Sequence, residues 1–136
     1  MKLLMMYTDS FSYEPRSKTL DEFDTITEGE TIENAILAFI QAEEHDEEDI
    51  KKVEKKLVKN LKWAAKKNDT MRVILHSFAH LSDSKASPEF TKELFDLVDA
   101  RMKNADYESF QTPFGYFLDI KLDAPGKSLA RVFKSF

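Results

Sequence analysis

Apolar and polar residues fall into short blocks whose period alternates between that of a strand and that of a helix. Lys2 to Thr8 holds the run Leu3-Leu4-Met5-Met6-Tyr7, a buried strand, and Asp9-Ser10 predicts a turn into a hairpin partner over Phe11 to Pro15. Residues 16 to 33 are polar without a sustained period and read as a loop. Asn34 to Glu43, centred on Ala35-Ile36-Leu37-Ala38-Phe39-Ile40, predicts a second core strand. Asp46 then offers an N-cap for a helix whose Ile50, Val53, Leu57, Leu61 and Ala64 share one face, and which ends at Lys66-Lys67-Asn68. Arg72 to His76 is a short buried strand. Ser87-Pro88 opens another helix, with Ser as cap and Pro in the first turn, and Phe90, Leu94, Leu97, Val98 and Met102 on its apolar side. Tyr107 to Gln111 and Tyr116 to Asp123 read as strands separated by Thr112-Pro113-Phe114-Gly115, and Lys127 to Phe136 as a short helix. Strands interleaved with helices imply one α/β domain over residues 1–136, a mixed β-sheet with packed helices.

Composition sharpens that picture and excludes several classes. A chain of 136 residues can bury a core, and 3 Gly and 4 Pro are too few for a disordered or fibrous protein. With 0 Cys there is neither a disulfide framework nor a thiolate metal site, which suits a cytoplasmic protein. The opening apolar run is too short for a signal peptide, and Ala35 to Ile40 falls far below the roughly 20 residues that span a bilayer, so no membrane partner is expected. Net charge is −5 and lysines alternate with acids, so the chain lacks the basic stripe of a domain that grips nucleic acid along its phosphates.

Candidate chemistry is sparse. His76 and His80 have the spacing of two metal ligands, but they follow a strand and lack a zincin glutamate, so no metal is assigned and an α/β metal hydrolase stays a lesser alternative. A serine triad can be assembled on paper from Ser77 or Ser82, yet no Gly-x-Ser-x-Gly elbow presents either one. No glycine-rich phosphate loop occurs, and no cofactor is expected.

Three segments carry a resemblance. Leu3-Leu4-Met5-Met6-Tyr7-Thr8-Asp9 precedes Tyr13-Glu14; Ser77-Phe78-Ala79-His80-Leu81-Ser82 is close to a Pro-Phe-Ala-His-Leu-Ser motif; and Pro113-Phe114-Gly115-Tyr116 precedes a strand ending Ile120-Lys121. In order and spacing they resemble the archaea-specific N-terminal editing domain of threonyl-tRNA synthetase, across essentially the whole chain. The resemblance implies a D-aminoacyl-tRNA deacylase-like fold, usually a homodimer. It also implies a proofreading deacylase that hydrolyses serine wrongly esterified to threonine tRNA. One methyl group is worth only about 1–3 kcal/mol to a synthetic site, so a second pocket that admits serine and rejects threonine supplies the discrimination.

Carried over by position, Ser77, Phe78, Ala79 and His80 form the loop beside adenosine and serine. Pro113, Phe114, Gly115, Tyr116, Phe117 and Leu118 form the facing wall, and Ala42 lines the serine side. His80 is the candidate catalytic side chain. The resemblance further implies that the substrate's 2′-hydroxyl and main-chain groups assist hydrolysis. The expected partners are the 3′ end of aminoacylated threonine tRNA and a synthetase catalytic domain, in cis or in trans. Three positions depart from the family pattern: Leu118 stands where a lysine is usual, Arg131 where a glutamate is usual, and Ser77 where a proline is usual. Lys121 is expected on the opposite face of its strand from Tyr116, Leu118 and Ile120 and so does not replace that lysine. A pocket that binds the tRNA end or supports dimerisation, with weakened chemistry, is the alternative.

Overall fold

The computed structural model describes all 136 residues. Strands β1 (Lys2–Lys18) and β2 (Glu30–Gln41) come first, then helix α1 (Ile50–Lys67), strand β3 (Arg72–Ser77) and helix α2 (Pro88–Asn104). Strands β4 (Glu108–Gln111), β5 (Tyr116–Asp123) and β6 (Arg131–Ser135) complete the chain. They form a six-stranded sheet in the order β4-β3-β2-β1-β5, with β6 also paired to β1. β2, β3 and β4 run parallel, and β1 is antiparallel to β2, β5 and β6. The sheet is mixed, as the sequence implies.

Two local expectations fail at β1. No hairpin forms at Asp9-Ser10: β1 continues, and it keeps one register against β2 from Lys2↔Gln41 to Tyr13↔Glu30. Asp-Ser lacks the glycine that a two-residue hairpin turn favours, and continued pairing satisfies the backbone instead. Near this point Asn34 adopts a left-handed φ of 53°. Leu3, Met5 and Tyr7 pack in the larger core cluster, whereas Phe11 and Tyr13 pack in the smaller one. The loop predicted over residues 16 to 33 is correspondingly shorter, because β1 ends at Lys18 and β2 begins at Glu30.

The C-terminal segment is a strand, not a helix. The outer edge of β1 is shared, with β5 covering Ser10 to Lys18 and β6 covering Lys2 to Met6. Without β6 those N–H and C=O groups would form an open edge beside the core. Val132 packs inward against the larger cluster while Phe133 is exposed, the alternation of a strand.

Val53, Leu57, Leu61 and Ala64 of α1 meet Leu94, Val98 and Met102 of α2 and the strand residues Ile36, Ala38, Ile40, Val73 and Leu75 in that larger cluster. Fully burying each Leu, Ile or Val contributes roughly 1.5–3 kcal/mol. Phe95 is buried and Leu97 exposed, the reverse of what the expected apolar face of α2 required. Ser87 caps α2 by accepting from the Phe90 amide. Asp49, not Asp46, caps α1, accepting from the Lys52 amide. Asp46 is buried one turn earlier, where its carboxylate faces the Met1 ammonium at 2.9 Å and accepts from the Glu43 amide.

Candidate active site

The C-terminal ends of β2 and β3 open into a cavity of about 380 Å³. One wall is the loop after β3, and the other is the Thr112–Gly115 turn with the start of β5. Ser77, Phe78, Ala79 and His80 line the first wall, and Pro113, Phe114, Gly115, Tyr116, Phe117 and Leu118 the second. Ala42, just past β2, lies between them. The residues that the resemblance assigned to the two walls, and Ala42, thus border one space. Ala42, Thr112 and Pro113 are buried at its floor, while Ala79, His80 and Phe117 are exposed at its rim.

The loop bearing His80 is held by a side chain that sequence reading missed. Gln41, the last residue of β2, is only 3 % exposed. Its Oε1 accepts from the amides of Leu81 at 2.6 Å and Ser82 at 2.8 Å. Its Nε2 donates to the carbonyls of Ser82 at 2.8 Å and Ser84 at 2.9 Å. A single carboxamide therefore satisfies both donors and acceptors of the loop. Glu43 adds a second tether by accepting from Ser82 Oγ at 2.7 Å. Its carboxylate also receives the Met1 ammonium and Lys2. Burial alone would raise the Glu43 pKa, but the hydrogen bonds from the ammonium, Ser82 and Lys2 outweigh it and bring the carboxyl down to about 2. Ligand atoms of Glu43, His45 and Asp46 lie within 4.8 Å of one another, and the Met1 ammonium already supplies positive charge to both acids.

The facing wall depends on Gly115, whose φ of 79° favours glycine. A Cβ there would come within 2.9 Å of Leu20 Cβ, and the Gly115 carbonyl accepts from the amides of Thr19 and Leu20. Phe114 stacks edge-on against Phe23, with ring centroids 4.8 Å apart, and the Tyr116 hydroxyl accepts from the Ile26 amide. The segment between β1 and β2 therefore backs this wall, and Thr19 and Leu20 themselves line the cavity. Along β5, Tyr116, Leu118 and Ile120 border the cavity and Lys121 does not. The apolar Leu118 side chain thus occupies the wall where the family pattern has a lysine. Arg131 lies away from the cavity on β6, donating to the Ala124 carbonyl.

The two histidines occupy different environments. His76 is 7 % exposed, with Nδ1 2.9 Å from Thr112 Oγ1 and its ring among Phe11, Phe39 and Phe78. Burial lowers its pKa to about 4, so its imidazole is neutral at physiological pH. His80 is exposed, edge-on to Phe78 with centroids 5.0 Å apart. Phe78 donates its amide to Ile40, but the next amides, of Ala79 and His80, bond no carbonyl or side chain. They are free to donate to a ligand. Lys85 is the one Lys, Arg, Asp or Glu among the cavity-lining residues.

The curled mixed sheet, its two helices and a cleft at the strand ends define a D-aminoacyl-tRNA deacylase-like α/β domain. The structure aligns over 100% of its length with 99% of c-Myc DNA unwinding element binding protein at a TM-score of 0.66 and 9% identity, a likeness of fold alone. Residues 1–136 match the model of the archaea-specific editing domain of threonyl-tRNA synthetase, and the chain belongs to that family. Threonine–tRNA ligase of Methanopyrus kandleri is 31% identical over 134 residues, covering 97% of this chain and 21% of the relative. The corresponding enzyme of Thermococcus gammatolerans is 30% identical over 135 residues, again covering 97% of this chain and 22% of the relative. The chain thus spans about a fifth of the length of the curated relatives it matches. No helix is long and apolar enough to cross a membrane.

Proposed function

We propose that this domain proofreads threonine tRNA by hydrolysing the ester of wrongly attached serine. The observation that carries the reading is the meeting of the His80 loop and the Gly115 turn around one cavity in a chain of this family. In this reading serine enters with its hydroxymethyl group toward the buried Ala42, and rejection of threonine's extra methyl occurs on that side of the cavity. Water attacks the ester carbonyl, and the free amides of Ala79 and His80 donate to the oxyanion as it forms. The bond between the acyl carbon and the ribose oxygen then breaks, and the proton given up by the attacking water ends on that departing ribose oxygen. The substrate's 2′-hydroxyl orients the water, with the His80 imidazole at the rim assisting. His76, held neutral and hydrogen-bonded to Thr112, supports the wall and takes no part in proton transfer.

The tRNA body is held by a synthetase catalytic domain, in cis or in trans, because a chain of net charge −5 is poorly suited to hold it alone. The domain itself is a homodimer in this reading. Incubating it with Ser-tRNA and Thr-tRNA, with and without a chelator, tests the proposal. Serine release that leaves threonine attached and ignores the chelator is expected. Equal release of both amino acids, or chelator-sensitive release, refutes it. Leu118 in the cavity wall favours one second reading, a site that binds the tRNA end without efficient turnover. Binding of a nonhydrolysable seryl-adenosine with no release from either tRNA would identify that case.

A further inference from the structure

The His80 loop borders a second groove on its outer side, lined by Ala79, His80, Leu81, Ser82, Asp83 and Lys85. Ala79, His80 and Lys85 belong to both spaces, so the groove continues the cavity past its rim. Lys85 stands at that junction. Its backbone is fixed on both sides, since Ala86 donates its amide to the Ala42 carbonyl and the Ser84 carbonyl accepts from Gln41. Two nearby acids are engaged elsewhere: Glu43 with Met1, Lys2 and Ser82, and Glu47 with the Ser87 amide. Lys85 forms no ion pair of its own. Asp83, likewise without an ion pair, lines the outer groove but not the cavity, whereas Lys85 lines both.

We propose that Lys85 holds the phosphate on the 5′ side of the terminal adenosine, at the point where the nucleotide chain leaves the cavity. The inference rests on the editing reading, which puts an aminoacyl-adenosine inside. A nucleoside seated there must extend its chain through an open edge, and at this junction a fixed backbone presents a lysine with no ion pair of its own. Lysine suits the task as a flexible point charge that needs no planar alignment with the phosphate. The contact is a positioning one: it seats the ester without touching the reacting atoms.

Calorimetry with a nonhydrolysable seryl-adenosine, with and without a 5′-phosphate, tests this on the wild-type chain, Lys85→Ala and Lys85→Arg. The wild type is expected to bind the phosphorylated analogue about fivefold more tightly, the upper range for one exposed charge contact. Lys85→Ala should bind both analogues alike, at the wild-type affinity for the unphosphorylated one, and Lys85→Arg should restore the preference. For binding of single-stranded substrate, the slope of log affinity against log salt should fall by about 0.7 in Lys85→Ala. A purely structural lysine would not produce that change. Equal wild-type affinity for both analogues, or a preference that survives Lys85→Ala, overturns the inference alone. Binding of neither analogue to the wild type overturns the editing reading and this inference with it.

Discussion

Gln41→Leu separates the loop's geometry from the stability of the fold. The substitution keeps an apolar stem of similar length at the end of β2 and deletes hydrogen bonds to Leu81, Ser82 and Ser84. Each such bond contributes about 0.5–1.5 kcal/mol net, so the loss sums to roughly 2–6 kcal/mol if the loop stays in place. The loop is partly exposed and can turn its freed groups to water. The expected outcome is therefore local opening at the lower end, about 2–3 kcal/mol, with the core intact. Hydrogen exchange at the Leu81 and Ser82 amides should accelerate by about 30- to 160-fold, while amides of β2 and β3 keep their protection. Deacylation should fall by at least tenfold, because the Ala79 and His80 amides no longer hold one position. Unchanged exchange at Leu81 and Ser82 would refute the clamp, and unchanged deacylation with accelerated exchange would refute its link to the site.

Leu118→Lys places an ammonium in the cavity wall; the proposed function predicts faster serine release in a single-turnover assay, and an unchanged or slower rate would count against it. Gly115→Ala forces a side chain onto Leu20 at a positive φ. It should cost about 1–3 kcal/mol in urea unfolding and weaken seryl-adenosine binding, whereas wild-type values in both would remove Gly115 from the account. Stability should depend on pH in two windows. From pH 6.5 to about 4 the unfolded chain takes up a proton at His76 that the folded chain refuses, so stability falls as pH falls, by roughly 3 kcal/mol at most. Glu43 adds a second loss from about pH 4.5 down to 2, as the unfolded carboxyl protonates before the folded one. Urea titrations across pH should show the upper window flatten in His76→Leu, and an unaltered slope would contradict the burial of that imidazole.

The lining of the candidate cavity was more legible than parts of the fold that carries it. Phe78, Ala79, Phe114 and Gly115 were picked out by their motifs through the family resemblance, and the parallel pairing of β2, β3 and β4 brings the loops that carry them to one cavity. β2, β3 and both helices were visible from period and caps. β6 was not, because the tail alternates only weakly and becomes a strand through the open edge of Lys2 to Met6, a demand made far away in sequence. The same holds at Asp9-Ser10, where pairing to β2 overrides a local turn signal. Asp46 resembled a cap because it precedes a helix, yet the Met1 ammonium and the Glu43 amide take its carboxylate. Gln41 and Lys85 belong to no motif. Gln41 betrayed itself only as a polar residue ending a run of buried apolar ones, and its four hydrogen bonds are set by tertiary folding.

A crystal structure of the domain with a nonhydrolysable seryl-adenosine tests the central claim most directly. The serine side chain should lie beside Ala42, with the carbonyl oxygen about 2.7–3.1 Å from the Ala79 or His80 amide. The adenine should lie between Phe78 and the Gly115 turn. An analogue bound elsewhere, or seated here with its carbonyl turned away from both amides, would contradict it.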